Sequence, residues 1–223
     1  MTRLNVVHAD EHLLVLDKPT GLLCVPGRGP DKADCLSARV QALYPDALIV
    51  HRLDMATSGL VVMGRGAAAQ RALSLAFAER RVHKRYEAVV AGVPDASGAD
   101  AEGWSDIHLP LIVDWPNRPK SKLYWEHGKP SHTQWRIQQG ACLKKTTRVE
   151  MKPITGRTHQ LRLHMAALGL PLRNDPFYPE VNDPPEGDFS RPLQLLAQSL
   201  EFTDPLTGEL RRFESARSLL PLV

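Results

Sequence analysis

The sequence predicts an α+β protein. Three observations carry that reading. Strand-length apolar runs outnumber segments of helical periodicity, the two kinds do not alternate as a doubly wound parallel sheet requires, and prolines gather between the runs. The first two runs, residues 4–8 and 12–16, flank Asp10-Glu11 and predict a hairpin. Residues 36–43 place Leu36, Val40 and Leu43 on one helical stripe, with Asp34 as N-cap and Pro45 beyond the end. Residues 48–53 and 60–63 read as strands on either side of a polar segment. Residues 67–80 form the clearest helix, with Leu73, Ala76 and Phe77 at helical spacing and cations in the last turn. Strands follow at 85–90, 123–126, 133–138 and 147–151. A helix over 158–168 carries Leu161, Met165 and Leu168 on one side and stops at Gly169. Two last strands, near 195–203 and 209–213, are joined by a turn through Pro205 and Gly208. The 18 prolines exceed the usual ~5% and mark loops at 26–30, 116–119 and 176–185. No repeat or linker divides the 223 residues, so a single domain without a separate N-terminal module is expected.

Composition excludes several classes of function. No apolar run approaches the roughly 18 residues of a membrane span, and the N-terminus lacks the apolar region of a secretory signal. Cys24, Cys35 and Cys142 form no C-x-x-C pair, which points to reduced thiols in a cytoplasmic protein. The net charge of +3 conceals an uneven distribution. Residues 144–173 carry seven basic residues against one acidic, and residues 174–223 carry four against nine. A local basic segment of this kind suits a polyanionic partner. The chain has neither a phosphate-binding G-x-x-x-x-G-K-[ST] loop nor a G-x-G-x-x-G turn, so no nucleotide cofactor is expected. His159 and His164 are five apart, the wrong spacing for paired helical ligands, so no metal is expected.

The segment that carries chemistry is His51-Arg52-Leu53-Asp54-Met55-Ala56-Thr57-Ser58-Gly59. Its turn formers fit a capped turn with a surface Asp. Its cations fit a second reading. A carboxylate beside a guanidinium stays ionised, suited to nucleophilic or general-base work, and Arg52 and the Arg157 of Thr155-Gly156-Arg157-Thr158-His159 both offer one.

The nine residues resemble the H-R-L-D-x-x-T-S-G motif of the RluA family of pseudouridine synthases at all seven specified positions. Asp17-Lys18-Pro19-x-Gly21-Leu22 resembles that family's D/N-K-P-x-G motif, Lys84-Arg85-Tyr86 its K-x-Y motif, and Gly156-Arg157-Thr158-His159-Gln160-Leu161-Arg162 its G-R-x-H-Q-L-R motif. Residues 25–28, Tyr44-Pro45, Met55-Ala56 and residues 114–120 are similar to the dual-specificity branch, which acts on a tRNA anticodon stem-loop and on 23S rRNA. The chain departs from the family at Asn174-Asp175, where Gly-Asp is usual, and at Leu195-Leu196-Ala197, where Leu-His-Ala is usual.

The resemblance implies a pseudouridine synthase fold: a mixed, largely antiparallel sheet flanked by helices, with an active-site cleft along the sheet. It implies one catalytic domain over residues 1–223, with no separate RNA-binding module, acting as a monomer without cofactor or obligatory protein partner. Uracil leaves C1′ of its ribose, turns, and rejoins through C5. The resemblance assigns the essential carboxylate to Asp54; attack at C1′, attack at C6 and removal of a sugar proton all remain open. It implies that Tyr86 stacks on the uracil, that Arg157 pairs with Asp54, and that Arg52 fills the gap left by a flipped base. Leu163 is the candidate for apolar packing beneath the base. Lys144, Lys145, Arg148, Lys152 and Arg162, with Arg118, Lys120 and Lys122, are candidate phosphate contacts. A nucleic-acid glycosylase and a catalytically silent RNA-binding or RNA-folding protein are the competing readings. The first lacks a second motif-bound carboxylate, and the second has no need of Asp54, Tyr86 and Arg157 together.

Overall fold

A computed structural model describes residues 4–27, 29, 32–143, 145–179 and 190–222. The Arg28 and Lys144 expectations and most of the 176–185 loop lie outside the described residues, as does the side chain of Cys142. In chain order the elements are β1 (Val6–Ala9), β2 (Leu13–Lys18), α1 (Leu36–Gln41), β3 (Ala47–Ile49), β4 (Ser58–Arg65), α2 (Gly66–Ala78) and β5 (Val82–Ala91). Then come β6 (Ser105–His108), β7 (Leu111–Val113), β8 (Ser121–Leu123), β9 (His132–Leu143), β10 (Thr146–Pro153), α3 (Gln160–Ala167), β11 (Leu195–Thr203) and β12 (Leu210–Glu214). Largely antiparallel sheets with three helices make the protein α+β, as the sequence predicts. The chain divides into two compact units, residues 1–84 with 196–218 and residues 85–195 with 219–223. No helix among the described residues is long and apolar enough to cross a membrane.

In the first unit, β2 pairs antiparallel with β1 and β4, β3 adds to β4, and β12 pairs antiparallel with β11. The β1–β2 hairpin closes where expected because the Asp10 carboxylate accepts from the backbone N–H groups of His12 and Leu13 at 2.9 and 2.8 Å. Every residue of β2 is buried, as the apolar run anticipates for Leu13–Leu16 but not for Asp17 and Lys18. Leu13, Val15, Leu60 and Val62 pack with Leu73 and Ala76 of α2, Val82, Leu200 and Phe202, and this cluster is the unit's core.

Three boundaries move for physical reasons. Cys35, not Asp34, caps α1: its sulfur accepts from the Ala38 N–H, while Asp34 takes a two-point contact from Arg39. The strand expected over 48–53 stops at Ile49, because the Leu53 N–H bonds to the Cys24 sulfur rather than to a ladder partner. Helix α2 ends at Ala78, so Arg80, with φ of 60°, lies past the last turn rather than in it.

In the second unit, β5, β10, β9 and β6 form an antiparallel sheet in that order, and β7 and β8 form a separate ribbon. The sequence reading missed β6 and β7, which are short and, in β6, polar at three of four positions. Strand β8 lies earlier than expected because Tyr124 leaves the ladder to donate to the Pro110 carbonyl and to accept from Gly128. Helix α3 begins two residues late: His159 adopts left-handed geometry, φ 56°, which interrupts the helical turn expected from Thr158.

Candidate active site

The first unit holds the loop from His51 to Thr57, with Asp54 partly buried and Arg52 exposed. Backbone groups along this loop are tied to side chains and turns elsewhere in the unit. Val62 N–H donates to His51 Nε2 at 3.0 Å, and the imidazole stacks on Phe77 with ring centroids 4.3 Å apart. The Met55 carbonyl accepts from Gly21 N–H at 2.9 Å and from the Lys18 ammonium at 3.0 Å. Thr20 Oγ1 donates to the Ala56 carbonyl at 2.6 Å, and Thr57 N–H closes the turn on the Asp54 carbonyl at 3.1 Å. The Asp-Lys-Pro-x-Gly segment is therefore the mount on which the Asp54 loop sits.

Lys18 is the centre of that mount. It is fully buried, and its three N–H bonds go to the carbonyls of Pro19, Leu22 and Met55 at 2.9, 2.7 and 3.0 Å. Burial pulls its pKa down to about 8, while the nearby Cys24 and Asp54 oppose the fall. Asp17, equally buried, receives Arg217 Nε and Ser215 Oγ, each at 2.9 Å, which fixes the start of the segment.

Gly59 ends the motif for a steric reason. Strand β4 pairs parallel with β11 through Ser58–Leu196 and Gly59–Ala197. At Gly59, φ is +108°, and a Cβ there would lie 2.3 Å from the Ala197 carbonyl oxygen. Gly59→Ala should lose about 2–4 kcal/mol, from backbone strain and the displaced strand together. Urea unfolding of the variant checks this; a midpoint equal to wild type would show that β11 yields without cost.

Burial pushes the His51 pKa down to about 3, aided slightly by the Lys84 charge. The unfolded chain takes up this proton near pH 6.5 and the folded chain refuses it, so stability falls as pH drops below about 6.5. The expected slope is ~1.4 kcal/mol per pH unit from this one group. Denaturant titrations between pH 6.5 and 5 measure it, and His51→Gln should reduce the total slope by that amount. An unchanged slope would mean that His51 is protonated in the folded state.

Tyr86, Arg157 and Leu163 belong to the second unit. Tyr86 lies on β5 opposite Met151 of β10, which lies opposite Trp135 of β9. These three share one face of the sheet. Arg157 is exposed in the turn before α3, and Gln160 shapes that turn. Gln160 Oε1 accepts from Arg157 N–H at 3.0 Å and from Thr155 Oγ1 at 2.7 Å, while its amide donates to the His132 carbonyl and Thr133 Oγ1, both at 2.9 Å. Leu163 is half-buried on α3.

The basic segment is not one RNA-facing surface. Arg162 is buried and makes a two-point ion pair with Asp175 at 2.8 and 2.6 Å, so it is not available to phosphates. Arg148 and Lys152 alternate with Met151 and so lie on the sheet face opposite Tyr86. There Arg148 approaches Glu87 at 3.6 Å, and the Lys152 ammonium sits 3.6 Å from the centre of the Trp104 ring. Arg118 stacks on Trp115 and Lys122 pairs with Asp114. Sequence patterning cannot separate these outcomes, because the segment crosses a two-faced strand, a turn and a buried helix.

Both departures from the family pattern find a place. Asn174 sits at φ 59°, the left-handed region that glycine enters freely and asparagine tolerates better than most residues. Its neighbour Asp175 holds Arg162 and accepts from the N–H groups of Phe177 and Tyr178, so the Asn-Asp pair keeps the turn that Gly-Asp would make. Leu195 to Ala197 are buried in β11, and Ala197 supplies the backbone against Gly59. Sequence reasoning passed over Lys18, His51, Gln160 and Asp175 as working residues. Their signal was present only as letters inside the motifs.

Residues 12–167 match the RNA pseudouridylate synthase family. The chain belongs to that family and is an RNA pseudouridine synthase, an isomerase. It is 47% identical to the dual-specificity RNA pseudouridine synthase RluA of Salmonella typhi, over 95% of this chain and 92% of that one. The RluA of Escherichia coli strain K12 is 46% identical over 95% and 92%, and that of Yersinia pestis 45% over 94% and 97%. Among solved structures, human RNA pseudouridylate synthase domain containing 1 superposes with a TM-score of 0.76 at 25% identity, covering 96% of this chain and 84% of the other.

Proposed function

We propose that this chain isomerises specific uridines in a tRNA anticodon stem-loop and in 23S rRNA, acting in the cytoplasm as a monomer. The observation that carries this reading is the Asp54 loop, a full match to the catalytic motif held rigidly by Lys18, Thr20 and Gly21. The high identity to dual-specificity relatives over nearly their whole length supports two RNA substrates. Free thiols at Cys24 and Cys35 support a reducing compartment.

The target uridine leaves the base stack, and Arg52, exposed beside Asp54, takes the vacated position. The ionised Asp54 carboxylate drives cleavage of the N1–C1′ bond. The base turns and C5 bonds to C1′; the C5 proton departs and N1 gains one, so no atom is added or lost overall. Tyr86 stacks on the base, Leu163 contributes apolar contact and Arg157 contributes positive charge.

Incubation with tRNA and 23S rRNA transcripts, followed by carbodiimide treatment and primer extension, tests the reading. Stops at defined uridines in both RNAs are expected. Release of free uracil would favour a glycosylase, and RNA binding with no altered uridine would defeat the proposal.

A further inference from the structure

We propose that Asp106, His108 and His132 form a binding site for one divalent transition-metal ion of the zinc class, on the face of β6 and β9. The register places His108 opposite His132 and Asp106 opposite Gln134, so the three side chains share one side of the ladder. The two imidazoles stack at 4.1 Å with planes 22° apart. One ligand atom from each of the three residues lies within 4.8 Å of the others. An ion with ligand bonds of ~2.0–2.2 Å sets its donor atoms roughly 3.4 Å apart, so modest rotation of these side chains closes the set. Asp106 and His108 are exposed and free to make that adjustment, while the ladder holds the backbone.

The donor set chooses the ion. Two imidazoles and one carboxylate suit zinc and its neighbours, whereas calcium and magnesium seek oxygen alone. The His132 Nε2 atom lies 2.5 Å from an Asp106 carboxylate oxygen, so two of the three donors already face each other. Gln134 donates to the same carboxylate oxygen at 3.2 Å and orients it from outside the ligand set. An ion would displace the His132–Asp106 contact and leave its remaining positions to water.

The site has a route to the Arg157 turn. The His132 carbonyl accepts from Ile154 N–H, Thr155 N–H and the Gln160 amide, so a ligated His132 stiffens the strand position on which that turn rests. The ion is not part of the reaction, and the inference holds whichever RNA is the substrate.

Calorimetric titration of the metal-free full chain with ZnCl₂ at neutral pH tests it. One saturable site per chain is expected, weakened at least about tenfold in His108→Ala and in Asp106→Asn. Circular dichroism without metal establishes that both variants are folded, and the near-isosteric Asp106→Asn decides the matter if His108→Ala is not. In proton NMR, two imidazole Cε1–H signals should move with zinc in wild type, and one of them should be missing in His108→Ala. Absence of saturable binding in wild type, or equal affinity in the folded variants, overturns the proposal.

Discussion

Asp54→Asn should bind RNA and leave every uridine unchanged. Asparagine matches aspartate in size, and the loop around position 54 is held by backbone bonds, from Thr57 N–H to the Asp54 carbonyl and from Lys18 and Gly21 to Met55. Removing the charge therefore leaves the loop where it is. What disappears is the one ionised group that the reaction requires. Turnover should fall by about 10⁴-fold or more, at the upper end of what a positioned acid or base contributes. Affinity should stay within about threefold, since phosphate contacts supply most RNA binding. Release of tritium from RNA carrying [5-³H]uridine follows the C5 proton directly, and a filter-binding assay gives Kd on the same preparation. Product formation at the wild-type rate would remove Asp54 from the chemistry. Lost affinity with unchanged turnover would make it a binding residue.

The second large effect belongs to Lys18→Met. The substitution keeps the apolar stem and removes the ammonium, which leaves the Pro19, Leu22 and Met55 carbonyls without their donor. Each buried acceptor stripped of its partner costs about 1–3 kcal/mol, partly offset because no charge then needs burying. A net loss near 3 kcal/mol is expected, together with a fall in kcat as the Met55 carbonyl is released beside Asp54. The pH dependence separates this positioning role from mere stability. Above a pKa of about 8 the amine keeps two N–H groups for three carbonyls, so kcat should decline through that pH. Stability moves the other way. Between about pH 8 and 10.4 the unfolded chain keeps a proton that the folded chain has shed, which by linkage favours the fold as pH rises. A falling rate above pH 8 without a falling unfolding midpoint is the expected signature. A Lys18→Met enzyme with wild-type kcat, or a wild-type rate flat through that range, would show that the mount is dispensable.

Much of the first unit was legible because its signals are local. The Asp10-Glu11 hairpin, the buried LLVL run and the periodicity of α2 each depend on residues within one or two turns of one another. Errors arose where a distant partner outbid a local preference. Leu53 looked like the end of a strand until Cys24, 29 residues earlier, took its N–H. Arg162 looked like a phosphate contact until Asp175 buried it. The β6–β9 register also sets His108 opposite His132, 24 positions away, a pairing that helical spacing does not address.

The sequence by itself determined the α+β class, the family and the identity of the residues on which the chemistry is expected to rest. Those properties are written in composition, periodicity and ordered motifs, which need no knowledge of how distant segments meet. The tertiary structure alone decided why the motif letters are what they are. Gly59 is required by the approach of Ala197 and Lys18 by three converging carbonyls, while the departure at Asn174 is tolerated in a left-handed turn that Asp175 anchors. It also divided the basic segment among one sheet face, the turn before α3 and a buried pair. The physical reason is common to all of these: steric room, hydrogen-bond supply and charge burial are set by which backbones lie against one another, and a linear pattern carries no such distances.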